Sequence, residues 1–157
     1  MAKVRTSCWG GTPSIGRRIA TSRAYAKRLG ADLVLTDKRR PRPDAVEIMN
    51  IIGDVEGKNA VLFDDLVTTA GTLCQAAEAI RAQGALDIYA GVTHGVFSSS
   101  AFERVARSPI KELVITDTID HSHLKLPPNV RELSIAGLLG EAVQRIHEER
   151  SLSSLFV

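Results

Sequence analysis

At 157 residues the chain is long enough to bury a core in one domain without cross-links. A net charge of +2 is too small to argue for nucleic acid, and aromatic residues at 4% leave few stacking platforms for a single strand. Two cysteines, Cys8 and Cys74, lack metal-ligand spacing and fit a reducing cytoplasm, and no signal peptide or membrane span is visible in the sequence.

The first 13 residues, with Trp9, Gly10, Gly11 and Pro13, carry no sustained period and are expected to be irregular, which leaves 14–157 as a single domain. Apolar and small residues from Ile15 to Leu29 predict a helix that Gly30 stops. A strand over Asp32 to Thr36 follows, then a basic, proline-punctuated loop from Asp37 to Pro43 and a strand over Val46 to Ile52. The apolar run Ala60 to Phe63 reads as a buried parallel strand, and Leu73, Ala76, Ala77 and Ile80 mark a helix to Gln83. A strand over Asp87 to Val92, a small-residue loop from Thr93 to Ser100 and a short helix from Ala101 to Arg107 come next. The chain then gives a strand over Glu112 to Thr116, a loop from Asp117 to Asn129 and a strand over Val130 to Ser134. A closing helix over Gly137 to Arg150 carries Leu138, Leu139, Ala142, Val143 and Ile146 on its apolar side. Repeated strand-then-helix order predicts an α/β fold, a mostly parallel, doubly wound sheet with flanking helices.

The richest chemistry lies between the strand at Phe63 and the helix at Leu73. Asp64 and Asp65 are followed by Thr68, Thr69, Ala70, Gly71 and Thr72, at the carboxyl end of a strand, where open α/β sheets bind ligands. The threonines offer hydroxyls, Ala70 and Gly71 let the backbone come close, and successive N–H groups at a helix start favour an anion. Two carboxylates would repel a phosphate but accept hydrogen bonds from sugar hydroxyls, or hold a divalent cation. The ligand expected of this turn is a ribose 5-phosphate moiety.

Three further signals are weaker. Lys38, Arg39, Arg40 and Arg42 stand among Pro41 and Pro43, a loop that could close over polyphosphate or be only a solvated run. His94 could reach the rim of the same pocket from the neighbouring strand end. His121 and His123 lie in a proline-containing stretch without a third ligand and are expected in a surface loop, while Cys74 is expected to be a packed thiol.

Several of these segments resemble the carboxyl-terminal half of the ribose-phosphate pyrophosphokinases, also called phosphoribosyl pyrophosphate synthetases. They are Asp37-Lys38-Arg39-Arg40-Pro41, Met49 through Lys58, the Asp64-Asp65 turn, Thr93-His94-Gly95-Val96-Phe97-Ser98, and the ending Ser151 to Phe156. The resemblance implies a type I phosphoribosyltransferase-like fold and transfer of a pyrophosphoryl group from Mg-ATP to ribose 5-phosphate, giving 5-phosphoribosyl 1-pyrophosphate for nucleotide biosynthesis. By position it gives Asp64 and Asp65 the ribose hydroxyls and a Mg²⁺ contact, Thr69 to Thr72 the 5-phosphate, with Thr68 beside them, and Lys38 and Arg40 the transferring phosphates. The family's amino-terminal half, which supplies much of the ATP site, is absent here. Thr68 stands where the family keeps a third acid, and Ser14 where it keeps a metal-associated aspartate. The partners implied are ribose 5-phosphate or its pyrophosphate, and either further copies of the chain or a full-length family member. The resemblance also admits a non-catalytic, sugar-phosphate-binding module.

Overall fold

The computed structural model describes residues 6–10, 23–39, 48–98 and 100–156. Among these described residues seven strands form one sheet: β1 (Thr6–Gly10), β2 (Asp32–Arg39), β3 (Ile48–Ile52), β4 (Ala60–Val67), β5 (Ile88–Gly95), β6 (Ile110–Thr116) and β7 (Val130–Leu133). The helices are α1 over 23–29, α2 (Gly71–Ala82), α3 (Ala101–Arg107) and α4 (Ala136–His147), with a short 3₁₀ turn at Ser153–Phe156.

Strand order is β3-β2-β1-β4-β5-β6-β7, and every neighbouring pair is parallel except β2 with β3. From β1 the chain steps outward to β2 and β3, then crosses back to β4 and steps the other way through β7. The order therefore reverses between β1 and β4, and a crevice opens at such a switch point beyond the carboxyl ends of the strands.

The expectation of an irregular start is corrected at Thr6–Gly10, which forms β1 in the interior of the sheet, paired with both β2 and β4. Alternating hydrophobicity is not needed there, because two flanking strands supply every backbone partner. Other boundaries move outward for the same reason. Asp37 to Arg39 belong to β2, since Asn50, Met49 and Ile48 of β3 face them in register. The rest of the basic loop, Arg40 to Pro43, lies outside the described residues, as do Ile15 to Arg17 and the remainder of the first helix before residue 23. Gly30 ends α1 as expected, with φ +60 and Ala31 donating to the Ala26 carbonyl at 2.9 Å.

The core lies between strands and helices. Leu62, Ile88, Leu113 and Ile115 are at most 1% exposed, and Ala76, Ala77 and Ile80 of α2 pack into the same cluster. Consecutive strand residues point to opposite faces, so next to buried Leu62 the ring of Phe63 turns away and stacks on Tyr25 of α1, centroids 4.4 Å apart. Helix α4 differs from the others: it forms where its pattern predicts, yet none of its side chains is buried.

Charge pairs pin the loops. Lys111 reaches Asp87 at 2.7 Å, and Lys58 reaches Asp54 and Asp32 at 2.9 and 3.2 Å. The Ser134 hydroxyl, with the Ile135 N–H at 2.9 Å, holds the Asp117 carboxyl below the usual carboxylate range.

Two measurements check this packing. Leu62→Ala should lower unfolding free energy by about 2–5 kcal/mol in a urea titration, the range for a buried leucine that leaves a cavity. Because the folded-state value of Asp117 is depressed, its contribution is complete above the ordinary carboxylate value and is lost as pH falls through the folded one. The variant Asp117→Asn should therefore lose stability less steeply than the parent as pH falls below about 4, the ordinary carboxylate value.

Candidate functional site

The turn after β4 starts later than the sequence suggests. Leu66 and Val67 still pair with His94 and Gly95 of β5, so Asp64 and Asp65 lie within the strand and the turn itself is Thr68 to Ala70. Ala70 takes a left-handed conformation, φ 58 and ψ 6, with its side chain 4% exposed, and α2 begins at Gly71.

Local hydrogen bonding leaves the start of α2 open. No side chain caps it and no acidic residue stands in its first turn. The Gly71 N–H has only a long 3.4 Å contact to Thr69 Oγ1, and the Cys74 N–H to the Ala70 carbonyl, 2.9 Å, closes the first turn. Uncompensated amides and the positive end of the helix dipole meet in a short space, the condition under which a helix start holds an anion.

An open depression of about 210 Å³ lies over this turn, lined by the continuous run Asp64 to Leu73. Asp64, Asp65, Thr68, Thr69, Ala70, Gly71 and Thr72 are thus all brought to one surface. The Asp65 N–H donates to Asp64 Oδ1 at 2.9 Å, which fixes the first carboxylate against the strand. Among the described residues no three His, Cys, Asp or Glu side chains gather as a metal cage. Two carboxylates are the donor set for an ion such as Mg²⁺ that takes its other ligands from water and substrate phosphate.

The segment after β5 clamps the turn. Val96 and Phe97 donate their N–H groups to the Val67 carbonyl at 2.9 and 3.3 Å, and Ser98 donates to the Thr68 carbonyl at 2.8 Å. Phe97, at φ 41, buries its ring against Phe102 and His121. Here the surface-loop expectation for His121 is corrected. Its ring is 4% exposed, Nε2 donates to the Gly95 carbonyl at 2.6 Å, and Nδ1 lies 2.8 Å from Glu132 Oε2. The physical reason is an accounting one: Gly95 lies past Val92, the last β5 residue in register with β6, so its carbonyl takes a side-chain donor instead.

His94 stands level with Leu66 on the neighbouring strand but is not among the residues lining the depression. Its Nδ1 sits 2.9 Å from Thr118 Oγ1, in a cluster where Thr116 Oγ1 donates to the Thr93 carbonyl at 2.6 Å. Lys38 is on the same edge of the sheet as the turn. Trp9 of β1 is level with both Leu35 and Phe63, so Lys38, three residues past Leu35, stands as far out along β2 as Leu66 does along β4. Two strand spacings, roughly 10 Å, separate them. Arg40 lies outside the described residues.

One cation near the turn escaped the sequence. Arg104 of α3 brings Nη1 to within 3.2 Å of the place a Cβ on Gly71 would occupy, beside a groove shared with Cys74 and Glu78. No spacing rule links it to the turn, since it arrives from the next helix in the fold. Burial pushes the Cys74 thiol up, with a hydrogen bond to Ser108 opposing it, as a packed rather than reactive cysteine.

Residues 21–157 match the family described as the phosphoribosyl synthetase-associated domain. The chain is 53% identical over 138 residues to a ribose-phosphate pyrophosphokinase of Caldanaerobacter subterraneus, an alignment covering 88% of this chain and 44% of the relative. Against the crystal structure of phosphoribosylpyrophosphate synthetase from Mycobacterium smegmatis the TM-score is 0.82 at 29% identity, over 94% of this chain and 46% of that one. Orotate phosphoribosyltransferase from Aeropyrum pernix, at a TM-score of 0.54 and 15% identity over 90% of this chain and 66% of that one, shares the fold. The chain spans about half the length of the relatives it matches. Among the described residues no helix is long and apolar enough to cross a membrane.

Gly71→Ala tests the turn as an anion site. The added methyl makes the Arg104 guanidinium, 3.2 Å away, give way slightly, and stability should change by no more than about 1 kcal/mol, the span of glycine-to-alanine helix propensity. Inorganic phosphate should raise the melting temperature of the parent more than that of the variant; equal shifts would remove Gly71 from the site.

Proposed function

Because the chain belongs to the phosphoribosyl synthetase-associated domain family, we propose that it holds ribose 5-phosphate for a ribose-phosphate diphosphokinase reaction that makes 5-phosphoribosyl 1-pyrophosphate for nucleotide biosynthesis. The observation that carries this reading is the single depression in which two carboxylates and an uncapped, acid-free helix start lie side by side. A phosphate and vicinal hydroxyls are the two chemistries such a surface separates.

In this reading the amides and hydroxyls of Thr69 to Thr72 receive the 5-phosphate, with Thr68 at their edge. Asp64 and Asp65 accept hydrogen bonds from the ribose hydroxyls and would hold Mg²⁺ together with substrate phosphates. That ion, when bound, neutralises the charge of the polyphosphate. Lys38, from two strands away, would stabilise negative charge on the transferring group, and Arg40 would share that role by its position in the sequence. The C1 hydroxyl oxygen attacks the β-phosphorus of ATP in line. The new C1–O–P bond forms as the bond to the α-phosphate oxygen breaks, AMP leaves, and the hydroxyl proton passes to solvent. No covalent intermediate with the protein is needed, and position and charge supply the catalysis. The setting is the cytoplasm, and the active assembly is a homo-oligomer or a complex with a full-length family member.

A second reading rests on a specific observation: the chain spans about half of its relatives, and the turn carries Thr68 rather than a third acid. It makes the protein a sugar-phosphate-binding module without turnover of its own.

Calorimetry separates the two. Ribose 5-phosphate should bind the chain, and Asp64→Asn or Asp65→Asn should weaken it roughly 10-fold or more, the loss expected for a hydrogen bond to a charged acceptor, with circular dichroism unchanged. Absence of any sugar-phosphate binding would sink both readings. AMP formation from ATP and ribose 5-phosphate by the chain alone selects the enzyme, and binding of the sugar phosphate without ATP binding selects the module.

A further inference from the structure

We propose that Arg104 of α3 is a phosphate-binding residue of the neighbouring turn, the cation by which the site selects a phosphorylated sugar over a neutral one. The proposal rests on the ribose 5-phosphate reading above and adds to it a side chain from outside the turn. The run Asp64 to Leu73 that lines the depression includes two carboxylates and no lysine, arginine or histidine. A phosphomonoester, of charge about −1.5 to −2 at neutral pH, would meet there only the partial charge of the helix start, roughly half an elementary charge. Lys38 stands two strand spacings, roughly 10 Å, from β4. A closer full positive charge has to come from another element of the fold.

Arg104 is placed to supply it. Its Nη1 lies 3.2 Å, and the Thr69 hydroxyl oxygen 3.5 Å, from the point where a Cβ on Gly71 would stand. That point is toward the N-terminal end of α2, because Cα–Cβ bonds tilt that way along a helix. The guanidinium and the hydroxyl thus flank one small space beside the uncapped amides, which a phosphate taking a charge-assisted bond of about 2.8 Å from the guanidinium can bridge. Gly71 borders both the depression and the groove that holds Arg104, and its missing side chain leaves the passage between them open. Backbone bonds tie Arg104 to the turn. The Ser98 N–H donates to the Thr68 carbonyl at 2.8 Å, the Ala101 N–H to the Ser98 carbonyl at 2.9 Å and the Arg104 N–H to the Ser100 carbonyl at 3.2 Å. Ala101 and Val105, both fully buried, anchor α3 beneath it. The guanidinium itself is uncommitted. Arg107, one turn on, pairs with Glu103 at 4.0 Å, whereas among the described residues Arg104 forms no ion pair, even with Glu78 of its own groove. A fixed backbone and an unpaired guanidinium suit a site that is organised before its anion arrives.

Calorimetry of the whole chain tests it, with ribose 5-phosphate and inorganic phosphate as separate titrants. Arg104→Gln should weaken both roughly 10-fold or more, the loss expected for a hydrogen bond between charged partners. From about 50 to about 200 mM salt the parent's affinity should fall more steeply than the variant's, a difference that a merely structural role would not produce. Arg107→Gln, on the same helix and groove but paired with Glu103, should keep the parent's affinity within about 3-fold. Both side chains are exposed, so the melting temperatures without ligand should agree with the parent's to within about 2 °C. If the parent binds ribose 5-phosphate and Arg104→Gln binds it as tightly, keeps the parent's salt dependence, or is matched by Arg107→Gln, the role of Arg104 is overturned and the sugar-phosphate reading stands. A variant that loses ribose 5-phosphate yet binds inorganic phosphate like the parent also overturns it, by placing Arg104 at the sugar. A parent that binds neither titrant overturns both.

Discussion

The carbonyls of Val67 and Thr68 are taken by three successive amides, those of Val96, Phe97 and Ser98. This clamp carries the sheet's hydrogen bonding past the last residue of β4 and into the turn, where an ordinary loop would leave those carbonyls to water. It depends in turn on the buried ring of Phe97 and on His121, which ties the end of β5 to Glu132 in β7. The geometry of Thr68 to Gly71 is thus set by elements on the far side of the sheet as much as by the turn's own residues. Loss of the clamp would free the turn before α2 without disturbing the strand that carries the two carboxylates.

Much of this was legible because parallel α/β architecture writes itself strongly into sequence. Apolar runs of strand length, helical spacing after Leu73, and Gly30 as a stop each have a local cause that the structure shares. The run from Asp64 to Thr72 stood out because two acids and three hydroxyls have no packing reason to cluster at a strand end, and the structure brings them to one surface. What escaped has a common origin in partners distant along the chain. Thr6 to Gly10 form an interior strand through two neighbours no local window contains, and Asp37 to Arg39 read as a loop until β3 pairs with them. His121 looked like a loop residue because its reason for burial, the Gly95 carbonyl, lies 26 residues away. Arg104 met Gly71 only through the packing of α3 beside α2.

Family membership and coverage of about half of each relative bear on α4 as well. The amphipathic pattern of that helix was read correctly, but a pattern states only that one side wants to leave water. It does not state what will cover it. A depression lined by ten consecutive residues and a helix face left bare are the two poles of this molecule.

Ala70 holds its left-handed turn without being glycine. In an L-residue that conformation carries a penalty of about 1–2 kcal/mol, which glycine would relieve. Glycine would also return conformational freedom to the joint between the carboxylates and the amides at the start of α2. An alanine buried to 4% exposure keeps that joint stiff before any ligand arrives. The strain is thereby converted into preorganisation: the turn has already surrendered the entropy that a looser loop would give up on binding.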